Sequence, residues 1–295
     1  VEVRLDRISN GFRAALALCD ASGTLINEDT LASVAVLGND PVITHTVRED
    51  SPSLFAAVSH NTVRPSLGEY ALELSVVRDG VPPAPTQQAV LLSFAGGTVN
   101  DPVFGRVTAG PFDGADIAPR YADDTEVIKQ WIRAVFEQNY TRYAIEIWDT
   151  DDPQAAAALA NRPFTRVVFG GFSTFAFGAA EAVDLYNANT ADQAIVFTEA
   201  FQPGLFQRPP SAEELGIAMG NVAAHEVGHL LGLHHVRDAT AIMDESSPAF
   251  TLLGNQEFKD APLSPAIFPL GTQDAHHLLS FTLGLEVTPA AKLGA

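Results

Sequence analysis

The chain has a single cysteine, Cys19, so no intrachain disulfide can form, and any life in an oxidising space must rest on core packing and metals. Basic residues are scarce. Seventeen Lys and Arg face 36 Asp and Glu, a formal charge of −19, which repels nucleic acid and anionic membrane surfaces and excludes both as expected partners. No run of about 18 apolar residues occurs, so no membrane span is expected. The sequence starts at Val1 without a basic, apolar leader, so any export signal is expected to have been removed or left out of the sequence. What remains is a chain of 295 residues, 46% apolar, enough for a real core and for two domains or one large decorated one.

Against this background one stretch stands out. "AAHEVGHLLGLHHV", residues 223–236, packs four histidines and one glutamate among small and apolar residues. Residues four apart on a helix share a face, so His225 and His229 can aim their rings at one point as a metal clamp. Glu226 falls about 100° around the helix from the first ligand, beside the metal instead of on it, where it can handle a metal-bound water. Gly232 stands where a helix commonly ends in a left-handed residue, and His235 can return as a third imidazole, leaving one tetrahedral position for water. His234 falls between the ligands in register and reads as a packed or solvent-facing neighbour. Glu245 and Glu257 lack the helical context a glutamate ligand needs.

HEVGHLLGLHH resembles the HExxHxxGxxH signature of the metzincin zinc endopeptidases, and "ATAIMDES" follows with Met243 where their Met-turn falls. By that resemblance Met243 is a hydrophobic floor beneath a zinc site; as a plain residue it reads as a core methionine. Val236, after the third histidine, points to no familiar branch. No tyrosine follows Met243 within the turn, so the extra tyrosine ligand of astacins and serralysins has no counterpart. The resemblance implies an α+β catalytic domain, a mixed twisted sheet with a long zinc-binding helix, that hydrolyses protein or peptide substrates in the secreted or envelope space of bacteria.

The first eighty residues read as short strands divided by turn chemistry: "FRAALALCDASGTLI", "PVITHTV", "SLFAAVSH" and "GEYALELSVV". This predicts a small antiparallel β-sandwich over residues 1–80. The pattern over residues 11–77 resembles the bacterial pre-peptidase C-terminal domain, with the opening strand of that module short or missing. Three prolines in "RDGVPPAPTQQ" mark a semi-rigid linker at 81–88. Residues 89–295 are then the peptidase-like domain: a buried strand in "AVLLSFAGG", a helix with Val127, Ile128, Trp131, Ile132, Val135 and Phe136 at helical spacing, strands in "YAIEIWD", "TRVVFGG" and "DQAIVFTEAF", then the histidine helix. That helix is expected from Ser211 to Leu231, with Ser211 and Glu214 as a capping box. Gly216 and Gly220 weaken it by up to about 1 kcal/mol each, which predicts another element packed closely there. A last helix is expected in "GTQDAHHLLSFTLGL", capped at Thr272. The adjacent His276 and His277 point in different directions and suit packing better than a shared metal.

Zinc is the cofactor these residues imply. Calcium is a second candidate, at "WDTDDP" (148–153), at "PFDGADI" (111–117), and at Asn27, Glu28 and Asp29, although turns and helix caps use the same residues. The glycine- and aromatic-rich segment before "DQAIVF" is expected, by resemblance, to line the upper rim of a substrate cleft. Two rival functions stay open: a secreted binding or adhesion protein with a structural or inactive zinc site, and a zinc hydrolase of non-peptide amides. The retained Glu226 and a ligand set of three rather than four favour the endopeptidase.

Overall fold

The computed structural model describes residues 1–9, 11–30, 40–47, 53–60, 66–78, 80–81, 84–102, 104–245 and 248–286. Pro82 and Pro83 of the expected linker, and Asn39 of an expected turn, lie outside them. Along the chain come β1 (Glu2–Arg7), β2 (Ala14–Cys19), β3 (Leu25–Thr30), β4 (Val42–Thr44), β5 (Phe55–His60) and β6 (Tyr70–Ser75). Next are β7 (Gln88–Ser93), β8 (Gly97–Asp101), β9 (Gly105–Ala109), α1 (Gly114–Ile117), α2 (Thr125–Tyr140), β10 (Ile145–Asp149), α3 (Ala155–Ala158), β11 (Thr165–Phe169), β12 (Gly178–Ala180) and β13 (Gln193–Val196). The chain closes with α4 (Ala212–Leu230), β14 (Asp260–Pro262), β15 (Thr272–Asp274) and α5 (Ala275–Leu283). The fold is α+β, a β-rich N-terminus followed by a domain with a long helix on a mixed sheet.

Two compact units form. The first comprises Val1–Ala84 with His234–Asp238 and Lys259–Asp274. It holds two three-stranded antiparallel sheets, ordered β4-β1-β6 and β3-β2-β5. Val3 and Leu5 alternate inward from β1 and meet Ala14, Leu16, Leu18, Phe12 and Ile43 in one core. An opening strand is therefore present, six residues long, where the pattern suggested a short or missing one. β2 is buried on both faces. Its second face, Ala15, Ala17 and Cys19, packs against Leu263 and Phe268 of the late segment. Burial there, and then Asp20, push the Cys19 thiol up from its ordinary range.

The second unit comprises Pro85–Leu233, Ala239–Phe258 and Ala275–Ala295. Its five-stranded sheet has the order β10-β7-β11-β13-β12, parallel except for the edge strand β12, which runs antiparallel to β13. The central strands are apolar in their middles, Ala89–Leu92 in β7 and Val167–Phe169 in β11, as strands covered on both faces tend to be. The β8–β9 hairpin covers part of one face through Val99 and Ala109 against Val168, Ile195 and Phe197. Helices α2 and α4 pack on one another, and α4 lies along β13 and β12.

The buried stripe of α2 is Ile128, Ile132, Val135, Phe136 and Tyr140; Val127 and Trp131, expected in it, lie at its margins, 40% and 36% exposed. Gly216 and Gly220 explain the close packing. A Cβ on Gly216 would lie 2.3 Å from Cβ of Trp131, and one on Gly220 would lie 2.8 Å from Cβ of Val135. The last helix begins at Ala275 rather than at a Thr272 cap, because residues 272–274 pair with 260–262 as a strand. No helix among the described residues is long and apolar enough to cross a membrane.

Candidate metal centre

Helix α4 starts at the expected place. Ser211 accepts the N–H of Glu214 on Oγ (3.2 Å), and the Glu214 carboxylate accepts the N–H of Ser211 (2.8 Å), a reciprocal capping box. Near its other end Tyr140, buried in α2, donates its hydroxyl to the carbonyl of Ala224 at 2.9 Å, one residue before His225. The helix that carries two of the histidines is thus held at both ends.

The rings of His225 and His229 are oriented by backbone carbonyls. Nδ1 of His225 lies 2.7 Å from the carbonyl oxygen of Ile242, and Nδ1 of His229 lies 2.7 Å from that of Leu233. A carbonyl only accepts, so each Nδ1 carries a proton, which leaves Nε2 of each ring as the nitrogen that can bind a metal. Those two Nε2 atoms are 3.0 Å apart. His235 completes the group, with one ligand nitrogen from each of the three rings within 4.8 Å of the others.

These residues fit a zinc ion. Tetrahedral zinc with bonds of about 2.0–2.1 Å holds its nitrogens roughly 3.3 Å apart, and N–H groups anchored on carbonyls are the usual outer support of zinc-binding imidazoles. Among the described residues no other group of three or more His, Cys, Asp or Glu side chains has this arrangement.

The turn that returns the chain is glycine-dependent. Gly232 has φ +96°, and its N–H donates to His229 O (2.9 Å) while Leu233 N–H donates to Gly228 O (2.9 Å), the paired bonds of a Schellman cap. A Cβ there would also lie 2.9 Å from Cα of Leu185. Met243 is buried, with its sulfur against Gly228, where a Cβ would stand only 2.6 Å from Sδ. The methionine packs directly under the helix residue preceding His229, and its neighbour Ile242 supplies the carbonyl that holds His225.

Glu226 is 6% exposed and stands outside the three-nitrogen group. Burial, and secondarily the negative charge of Asp101, push its carboxyl up to about 8. The edge strand passes directly over it at Gly178.

His234 turns elsewhere: its Nδ1 is 3.7 Å from Oε1 of Glu28, and burial, then His235, push it down to about 4, so it is neutral. His276 pairs with the hydroxyl of Tyr143 (2.7 Å), and His277 stacks edge-on with Phe281. The acidic loops act as caps. Asp113 accepts the N–H of Ala115, Asp149 those of Asp151 and Asp152, Asn27 that of Glu28, and Asp29 that of Val42.

Sequence reasoning missed the carbonyls of Ile242 and Leu233, which carry no residue signature. It also missed Asn221, buried on α4, whose amide donates to Leu252 O and Gly254 O and ties the 3-10 turn Ala249–Leu253 to the helix.

With this geometry in hand, residues 129–259 match the Matrixin family. That match spans the histidine helix and the Met243 turn, and it supports a metzincin-like zinc metallopeptidase domain. The matched residues do not include the N-terminal strands. Among solved structures the chain is similar to a zinc-dependent peptidase from Methanocorpusculum labreanum, at 15% identity over 56% of this chain and 91% of that one, with a TM-score of 0.31. It is also similar to an archaemetzincin from Methanopyrus kandleri, at 17% identity over 60% and 92%, with a TM-score of 0.30. Metalloproteinase-II from Bacteroides fragilis follows at 12% identity over 62% and 51%, with a TM-score of 0.30. No curated protein matches the sequence.

Proposed function

We propose that this metzincin-like metallopeptidase is a zinc-dependent endopeptidase in which His225, His229 and His235 hold the metal and Glu226 is the general base. The observation that carries the reading is a buried carboxyl on the residue that follows His225, itself no member of the group of three converging imidazole nitrogens. A zinc ion held by these three residues would supply Lewis acidity, polarising a carbonyl and lowering the pKa of water. Glu226 takes a proton from the attacking water and returns it to the leaving amine nitrogen. Neutral imidazoles suit this work because they leave the ion its full charge.

The edge strand β12 pairs with β13 along one side, and an extended peptide can add to its other side by backbone hydrogen bonds. Met243 is the floor of the site, and Gly232 the turn that returns the third ligand. On the same reading residues 89–295 form the peptidase domain, residues 81–88 a linker, and residues 1–80 an accessory sandwich like the pre-peptidase C-terminal module. The protein then works in the secreted or envelope space. Sequence resemblance supports these last assignments.

The test is cleavage of a generic unfolded protein by the native chain and by Glu226→Ala, with the zinc content of both recorded. Native cleavage, lost in a variant that keeps its zinc, supports the reading. If neither sample cuts while both hold zinc, the endopeptidase assignment fails and a binding role takes its place.

A further inference from the structure

The first two histidines ride on a helix, whereas the third stands beyond its end and needs another support. That support comes from the segment around β14 and β15. The N–H of His234 donates to Oε1 of Gln273 at 2.7 Å, and Nε2 of Gln273 donates to the carbonyl of His234 at 2.9 Å. One side-chain amide thus pairs with both polar groups of a single residue, as a neighbouring strand's backbone would. The next residues are pinned from a second direction. Ser264 N–H donates to His235 O (2.9 Å), Arg237 N–H donates to Pro262 O (2.8 Å), and Val236 forms an antiparallel bridge with Leu263.

The clamp is itself anchored. Gln273 is 3% exposed in the middle of β15, whose first residue, Thr272, donates its N–H to Gly23 O at 3.2 Å. Leu263 and Phe268 pack on Ala15, Ala17 and Cys19 of β2. The backbone of residues 234–237 is therefore held by the unit that contains the N-terminal sheets.

We infer that Gln273 is a positioning residue for the metal: its two-point grip on His234 sets where His235 presents its ring. The inference rests on the zinc reading above. Without the amide, a buried N–H and a buried C=O lose their partners together, and the segment must shift to find others. A ligand nitrogen tolerates only about 0.2 Å of error in its bond length, so such a shift is felt at the metal.

The experiment compares zinc affinity, by chelator competition, and the visible absorption of the cobalt-substituted protein in the native chain, Gln273→Met and Gln273→Glu. Methionine removes both bonds at similar volume; glutamate keeps the acceptor for His234 N–H and loses the donor. The expected result is a loss of about 10–100-fold in zinc affinity for Gln273→Met, the size seen when outer supports of metal ligands are removed, with an altered cobalt spectrum. Gln273→Glu should fall between the two. Native affinity and a native cobalt spectrum in Gln273→Met, whatever its melting temperature, overturn the inference. If Gln273→Met does not fold, native affinity in Gln273→Glu overturns it equally, and an intermediate loss supports it. A native chain that takes up neither zinc nor cobalt overturns the zinc reading itself, whereas variants that bind like the native chain overturn the clamp alone.

Discussion

A Cβ placed on Gly178 falls 2.5 Å from Oε1 of Glu226 and 2.7 Å from Cγ1 of Val222. The edge strand therefore crosses the carboxyl at the one residue type that leaves it room. Gly178→Ala must push the carboxylate aside or lift the strand, and displacement of a reacting group by about 1 Å can cost 10²-fold in rate. We expect kcat/KM for a peptide substrate to fall by about that factor while zinc content stays at the native level. Loss of the zinc as well, or undiminished turnover, would show that Gly178 has another purpose.

The metal site was legible because its parts are encoded as residue identities at fixed spacing. His225 and His229 lie one helical turn apart, Gly232 supplies a positive φ, and Ser211 with Glu214 states the helix start. The supports of those ligands were not legible. Ile242 and Leu233 act through carbonyl oxygens that every residue owns, and Gln273 lies 38 positions beyond His235. Gly216 and Gly220 announced a close neighbour without naming it, and α2 fills that place. In α2 the apolar period is wider than the buried stripe, so Val127 and Trp131 were expected inside and stand partly exposed at its margins. β2 reads as an unbroken apolar run, but what covers its second face was not legible, since Leu263 and Phe268 come from the far end of the chain.

The helix pair offers a stability test with an inverted sign. Glycine to alanine in an open helix stabilises by up to about 1 kcal/mol. At Gly216 the new methyl would meet Cβ of Trp131 at 2.3 Å and the carbonyl of Ile128 at 2.8 Å, and backbone cannot step aside cheaply. Gly216→Ala should therefore destabilise, by about 1–3 kcal/mol as overpacking does, and lower the melting temperature on the order of 5 °C. A variant that melts at or above the native temperature contradicts the packing described.

Asp192 predicts a pH dependence. It is 2% exposed, its Oδ1 accepts the hydroxyl of Thr165 at 2.7 Å, and its Oδ2 has no hydrogen-bond partner among the described residues. Burial first, then the charges of Asp184 and Glu181, push it up to about 7 from an ordinary 3.8. The folded chain thus keeps a proton that the unfolded chain gives up. The stability this contributes is complete below the unfolded value and is lost as pH rises through the folded one, at most roughly 4 kcal/mol in all. Asp192→Asn cannot ionise. In urea unfolding the variant should gain on the native chain between about pH 4 and pH 7, whereas a constant difference across that range would mean that Asp192 is ionised in the fold throughout.

The adjacent histidines give the last test. His235 belongs to the three-nitrogen group, while His234 sits 3.7 Å from a carboxylate oxygen of Glu28, in its neutral form. Dialysis against a chelator should abolish cleavage and lower the melting temperature by several degrees, since a ligand at a hundred times its Kd adds about 2.7 kcal/mol, and one equivalent of zinc should restore both. His235→Gln should lose tight zinc binding. His234→Gln should retain one zinc per chain, since its ring contributes packing rather than a donor. The reverse pattern, zinc lost with His234 and kept with His235, moves the third ligand back by one residue. In that case Gln273 would be gripping the ligand residue itself, and the Schellman turn at Gly232 would have to deliver a ring from the residue two after it.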